Sequence, residues 1–260
     1  MKGLSKQPLL PPQATAIRLG AAGSVIGPLV DSLHNQCLLR YDVAPITLSS
    51  PLSSSDPLFC SSWAVPPLLA FAYIVLGYVL PRIFEFLPIP REKMNVREGK
   101  KASNELRNKA LLAVSSTASI IKLSEILETN DSFQIGSSVL NMNASSKLQL
   151  MAFADACQWI TLDTTPVALL AATVTAIGGP LSELPFVSAG FWEYLPEAAD
   201  YSPLAAIETG VFDGLLTSVL GDNYRELTLS SITGPCYFAV TLDAIALGRY
   251  FYSLEELERI

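Results

Sequence analysis

The sequence predicts an all-α, polytopic membrane protein, a six-helix transmembrane bundle with an extra amphipathic interfacial helix in the loop before the last span. Three observations carry this expectation. Half of the 260 residues are hydrophobic, only 16% are charged and the mean hydropathy is +0.37, whereas an ordinary soluble domain carries about 25% charged residues. Charge is scarce where lipid surrounds a chain, because an ion taken out of water costs several kcal/mol. Apolar runs near the ~20 residues that cross a ~30 Å hydrocarbon core recur along the chain, and the remaining charge falls in one basic and one acidic block.

The runs divide the chain into a tail at 1–14, a membrane domain at 15–251 and a tail at 252–260. The opening MKGLSKQPLLPPQ lacks the uninterrupted apolar core and small-residue cleavage site of a secretory signal. A formal charge of −7 argues against a nucleic-acid partner, since such a surface must be basic to replace counterions.

The first span is expected from Thr15 to Leu38. Gly20, Gly23, Ser24 and Gly27 leave one of its faces almost bare, and Gly23 with Gly27 forms a small-xxx-small pair. That face suits either packing within the chain or a groove for a flat lipid. Pro28 is expected to kink the helix. At its exit stand Asp31, His34, Asn35 and Gln36. They either cap and solvate the helix end or form a polar rim over a lipid cavity, with Asp31 and His34 able to share one face. The single histidine, without a Gly-x-Ser-x-Gly or His-Glu motif, gives no nucleophile–base constellation, so the chain is not read as an enzyme. Cys37, Cys60, Cys157 and Cys236 have no metal-ligand spacing and are read as thiols, with a Cys37–Cys60 pair as the alternative. No metal site is expected.

The second span runs from Trp63 to Ile83. A basic loop at 82–109 follows, with Arg82, Arg91, Lys93, Arg97, Lys100, Lys101, Arg107 and Lys109. The third span, Ala110 to Leu127, is weakened by Lys122 and Glu125. The fourth covers Lys147 to Leu162. The fifth runs from Pro166, a favourable first helical position, to Ala189. Gly178, Gly179, Pro180 and Pro185 are expected to break it, and broken backbone at membrane depth lines a cavity or is covered by protein. Gly178 and Gly179 therefore join Gly23, Gly27, Asp31, His34 and Gln36 as candidate ligand-binding residues. No inverted repeat supports a transporter. The sixth span is Leu229 to Phe251. Asp155, Glu183 and Asp243 lie inside spans and must face the bundle interior, with Lys122 the nearest counter-charge by depth.

The loop at 191–228 holds seven acids against Arg225 alone. The positive-inside rule puts the basic loop on the side of synthesis, the acidic loop opposite, and both termini with the basic side. Within the acidic loop Leu204, Ile207, Val211, Leu215, Leu216 and Val219 recur at helical spacing. An acidic amphipathic helix favours a protein partner over anionic lipid, so Val211 and Leu215 are candidate partner contacts. Phe191, Trp192 and Tyr194 read as an interfacial aromatic belt.

Three stretches carry a family resemblance. SSWAVPPLLAFAYIVLGYVLPRI at 61–83 opens a span with Trp and Val-Pro-Pro. QWITLDTT at 158–165 ends the fourth span with Trp159, Thr161 and Asp163. ITGPCYFAVTLDAIALGRY at 232–250 places Pro235-Cys236 and aromatics at the head of the last span. In order and spacing the chain resembles the insulin-induced gene (INSIG) family over residues 15–250. The resemblance implies a six-span, non-enzymatic protein of the endoplasmic reticulum that binds a sterol or, as in a bacterial relative, diacylglycerol, and clasps other integral membrane proteins. It also implies that Asp163, with Trp159 beside it, lies on the face used for partner control; without the resemblance Asp163 reads as a solvated acid at a helix end. The chain departs from the family at Thr164 and Thr165, where basic residues are expected, at Trp63-Ala64, where an aromatic pair is reduced, and in its expanded segments at 128–146 and 191–229.

Two functions follow. One is a membrane protein that binds a lipid or sterol and clasps or regulates a membrane partner. The other is a scaffold subunit of a large membrane assembly, for example a photosynthetic complex in a plastid thylakoid membrane. There chlorophyll or carotenoid would replace the lipid, with His34, Gln36, Gln149 and Gln158 as candidate axial donors.

Overall fold

The computed structural model describes residues 10–33, 38–49, 57–84, 86, 100–129, 132–135, 138–206 and 212–258. Six long helices dominate it: α1 (Gln13–Asp31), α2 (residues 65–84), α3 (Lys100–Thr129), α4 (Ala144–Leu162), α5 (Pro166–Ser188) and α7 (Thr233–Glu258). A short α6 (Asp213–Leu220) precedes the last. Local chemistry sets several starts. Asn143 caps α4 by accepting from the Ser146 amide at 2.9 Å, and Thr165 caps α5 by accepting from Ala168 at 3.3 Å ahead of Pro166.

The fold is mostly helical, as the sequence pattern predicts, but not purely so. Among the described residues, three antiparallel two-stranded ribbons join the helices: β1 (Leu39–Tyr41) with β6 (Trp192–Tyr194), β2 (Pro45–Ser49) with β3 (Pro57–Ser62), and β4 (Ser132–Ile135) with β5 (Ser138–Asn141). All lie on the α1–α2, α3–α4 and α5–α7 connections, at the end of the bundle away from the chain termini. Strands this short leave little period-2 signal beside apolar runs of helical length.

Three helices are long and apolar enough to cross a membrane among the described residues: Val65–Phe84, Ser103–Thr129 and Pro166–Ser188. With this fold they make the chain an integral membrane protein. The α3 segment Ser103–Thr129 qualifies despite Lys122 and Glu125, which pair with each other along one helix face. Lys122 is thus not the partner of the buried acids. The last helix does not qualify, because Asp243 and Arg249 interrupt its apolar run. It is instead the axis of the bundle, packed against α1, α2, α3, α4 and α5, and a helix sheathed by others needs no continuous apolar surface.

Glycines set the closest crossings. Gly23 of α1 lies on the backbone of Leu69 and, for an added Cβ, 2.9 Å from Tyr73 Cβ. Gly248 of α7 lies on the backbone of Gly77, where α2 contains a π-helical turn over Val75–Val79. The bare face of α1 is therefore spent on packing within the chain.

Several boundaries differ from the predicted spans, among them the start of α3, at Lys100 rather than Ala110. α1 ends at Asp31 rather than Leu38. α7 continues through the expected tail to Glu258, because Glu255 accepts from the Thr15 amide at 2.8 Å and from Thr15 Oγ1 at 2.7 Å. The carboxylate meets one of the amides that the first turn of α1 leaves without a helical partner.

α5 is also continuous through Gly178, Gly179, Pro180 and Pro185. Pro180 withholds a donor from the Ala176 carbonyl four residues back. That carbonyl instead faces Gly234 of α7, where an added Cβ would sit 2.9 Å from it. A neighbouring helix covers the freed group, as membrane helices require.

Gly248→Ala is expected to force α2 and α7 apart and destabilise by about 1–3 kcal/mol, the range for overpacking. Gly178→Ala has nothing within 4 Å to meet and is expected to stabilise by about 0.5–1 kcal/mol. Thermal unfolding of both variants in one detergent checks the opposite signs.

Candidate functional site

A cavity of about 90 Å³ lies inside the bundle beneath the β1–β6 ribbon, walled by α1, α2, α3, α5 and α7. Its polar wall is built around Glu183 of α5. Gly179, one turn earlier, lies against the ring of Tyr237, so that the Tyr237 hydroxyl donates to Glu183 Oε1 at 2.8 Å. Strand alternation supplies the other donors. In β6, Trp192 and Tyr194 point inward while Glu193 points out to Arg40 of β1 at 2.7 Å. Tyr194 donates its hydroxyl to Glu183 Oε2 at 2.7 Å, and Trp192 Nε1 donates to the same oxygen at 3.3 Å. Thr233 Oγ1 lies 3.3 Å from the Tyr194 hydroxyl. Phe186 stacks on Trp192 with ring centroids 5.0 Å apart, which fixes the indole over the carboxylate.

Asp31 forms a second polar corner, accepting from the Tyr41 hydroxyl at 2.7 Å. Burial, and then the Asp31 carboxylate, pushes the Tyr41 hydroxyl well above its usual pKa. Burial and Glu183 do the same to Tyr194. Both phenols therefore act as neutral donors. The remaining wall is apolar, from Val30, Leu69, Ile121 and Val240. Such a cavity can orient a hydroxyl or other small polar head while apolar groups hold what is attached to it. A larger recess of about 240 Å³ opens between the starts of α4 and α7. It faces outward, and its Asp200 is engaged with the Ser231 amide and hydroxyl at 2.7 Å.

The structure brings together only part of the residue set expected from sequence. Gly27 and Asp31 line the cavity, Gly27 against Leu69 Cδ1 at 2.6 Å for an added Cβ. Gly179 seats Tyr237. Gly23 is sealed by α2, and Gly178 is exposed on the outer face of α5, so neither meets the cavity. His34, Gln36 and Val211 lie outside the described residues. Leu215 is exposed on α6. Gln149 is exposed too, whereas Gln158 spends both N–H groups on Ser116 and Thr117 at 3.0 and 2.8 Å.

Asp163 is not a solvated helix-end acid. It is 8% exposed, pairs with Arg249 of α7, and accepts from the Thr165 amide at 3.0 Å. Trp159 Nε1 donates to the Thr165 carbonyl at 3.3 Å, and Lys109 donates to that of Leu162 at 3.0 Å. The α4–α5 joint is thus clamped. Trp192 and Tyr194 are buried, not an interfacial belt. The sequence does flag Glu183 as an intramembrane acid, but Tyr73, Tyr194, Thr233 and Tyr237 go unread as site residues. The one available signal was the spacing of Gly179 and Glu183, which places a bare position and an acid on one helix face.

No protein-family profile and no curated protein matches the chain. Two solved structures do. One is a cross-linked trimer of a variant of MvINS, 20% identical, with a TM-score of 0.57, covering 93% of this chain and 96% of that one. The other is MvINS itself, a mycobacterial Insig homolog from Mycobacterium vanbaalenii, 19% identical, with a TM-score of 0.55 and the same coverage. The chain has a divergent Insig-like fold.

Tyr237→Phe strips Glu183 Oε1 of its donor in a buried setting and is expected to cost about 1–3 kcal/mol in unfolding free energy. At the α4–α5 joint, Arg249→Met leaves Asp163 buried without its counter-charge and is expected to cost about 3 kcal/mol, of which the Asp163→Asn/Arg249→Met double variant recovers a part. A double-mutant cycle by thermal unfolding measures the coupling.

Proposed function

Given an Insig-like fold, we infer that the chain is a non-enzymatic integral membrane protein that takes the polar end of a lipid or sterol into the cavity beneath β1–β6 and clasps or regulates a membrane protein partner. The observation that carries this reading is the Glu183 carboxylate, held at the cavity wall by Tyr194, Tyr237 and Trp192. Three donors converging on one acid inside an apolar bundle form a preorganised polar spot where packing alone would use apolar side chains. The ligand class in this reading is a neutral lipid with a small hydroxylated head, because Asp31 and Glu183 would repel an anionic one. In this reading the chain crosses six times, with both termini and the basic loop on one side of the membrane and the ribbons with α6 on the other. An endoplasmic reticulum membrane follows from the family resemblance only.

A second reading, a scaffold subunit of a larger membrane complex, is favoured by the size of the cavity. At about 90 Å³ the cavity falls short of the ~300–1,000 Å³ of ordinary ligand pockets. In that reading the tyrosine–carboxylate cluster is a structural lock, and any chlorophyll or carotenoid would sit on the outer surface.

Mild detergent extraction followed by sizing and mass spectrometry of the bound lipids separates the two. The ligand reading expects one neutral lipid per chain, lost from Glu183→Gln and Tyr237→Phe proteins that keep the same elution volume. Identical lipid content in wild type and both variants, with the chain held in a large complex, would leave the scaffold reading.

A further inference from the structure

α6 is apolar on both sides. Its inner side carries Leu216 and Leu220, packed with Phe186 and Val187 at the end of α5 and with Tyr224 just beyond α6, and Ser188 Oγ donates to the Leu220 carbonyl at 2.6 Å. Its outer side presents Leu215 and Val219, with Phe212 just ahead of the first turn, at 59, 58 and 69% exposure. The spacing of these three residues puts them on one stripe. Sequence alone favours a protein partner for this segment because the surrounding loop is acidic. The structure removes that objection from α6 itself. Asp213 is the only charged residue in the helix, and it is matched by Arg225 at 3.0 Å and by the Tyr224 hydroxyl at 2.5 Å. Nothing on the outer stripe is charged.

Two further observations indicate what covers the stripe. α6 is anchored on the C-terminal end of α5, a helix whose outer face exposes Val174, Ile177 and Leu181 and which is apolar enough to cross a membrane. The stripe therefore borders a surface that already faces lipid. At the same end of the bundle Trp63, at the entry to α2, is 71% exposed, the placement of an aromatic anchor at a membrane boundary.

We propose that the Phe212–Leu215–Val219 face of α6 is embedded in the headgroup–acyl boundary of the bilayer, on the side opposite the basic loop, and so fixes the depth of the β1–β6 ribbon above the cavity. A short helix with a paired acid and a bare apolar stripe buries that stripe in the interface without electrostatic cost. This rests on the reading that α5 crosses the membrane, so the experiment includes a control for that step.

The test places a polarity-sensitive fluorophore at Leu215→Cys, or separately at Ile177→Cys, in a full-length chain whose native cysteines are replaced by serine, reconstituted into phosphatidylcholine nanodiscs. Elution at the wild-type volume selects folded protein. The expected result at 215 is strong quenching by lipids spin-labelled near the headgroup, weaker quenching by lipids labelled at the chain end, and protection from aqueous iodide. At 177 the two lipid quenchers reverse in rank. Quenching at 215 by iodide alone would overturn the proposal in favour of a solvated helix. Protection at 215 from every quencher would overturn it in favour of contact with a second copy of the chain. Absence of lipid quenching at 177 would instead sink the membrane reading of α5.

Discussion

A polar side chain inside an apolar bundle is costly without a partner, and many of the bonds that tie one helix to another here involve α7. Glu255 holds the first turn of α1 through Thr15. Asp243 accepts from Tyr73 of α2 at 2.8 Å. The Ala239 carbonyl accepts from Thr117 of α3 at 3.1 Å, and Gln158 of α4 donates to that same threonine. Tyr237 reaches Glu183 of α5, and Arg249 holds Asp163 at the α4–α5 joint. Each interhelical bond in a membrane contributes about 0.6–2 kcal/mol, modest singly. Their arrangement matters more. Dispersion packing in lipid scarcely distinguishes one rotation of a helix from another, whereas a buried donor left without its acceptor penalises every wrong one.

Backbone contacts complete what the side chains begin. Gly77 and Gly248 let α2 and α7 touch main chain to main chain, and Gly234 lets α7 cover the carbonyl that Pro180 leaves open. This is why the proline pair in α5 misleads when read alone. Sequence shows that a hydrogen bond is missing, but not that another helix stands ready to cover the acceptor. The same limit applies to Gly23 and Gly27. Their spacing announces close approach, and the approach occurs, but the object approached is α2.

The helices were largely legible because each must bury or expose a long apolar run, and Pro166 marks one start directly, whereas α3 begins inside the basic loop, at Lys100. The cavity was legible only in fragments. Asp31 and Gly27 stand out by residue type, and Glu183 stands out as an acid at depth. Tyr194 and Trp192 do not, because an aromatic beside a predicted span end resembles an interfacial anchor. Only pairing with Leu39 and Tyr41 across the β1–β6 ribbon turns both inward. Pairings of that kind join residues about 150 apart in sequence, beyond the reach of local periodicity. Asp163 was singled out by resemblance, but its contact with Arg249 on a helix far along the chain is invisible without coordinates.

The cavity's small volume bears on how a ligand could enter. The α1–α2 seam is closed at Gly23 by backbone, so opening it there would sacrifice the interface along its length. At Gly27 the same seam is closed only by the Leu69 side chain, which can change rotamer. On the opposite wall the Tyr237 ring rests on Gly179 and is tied to Glu183 through one hydrogen bond. Above, the β1–β6 ribbon is three residues long in each strand, too short to be stable except by its inward aromatic contacts. The rigid part of the cavity is therefore its floor, deep in the bundle, and the adjustable part is its roof.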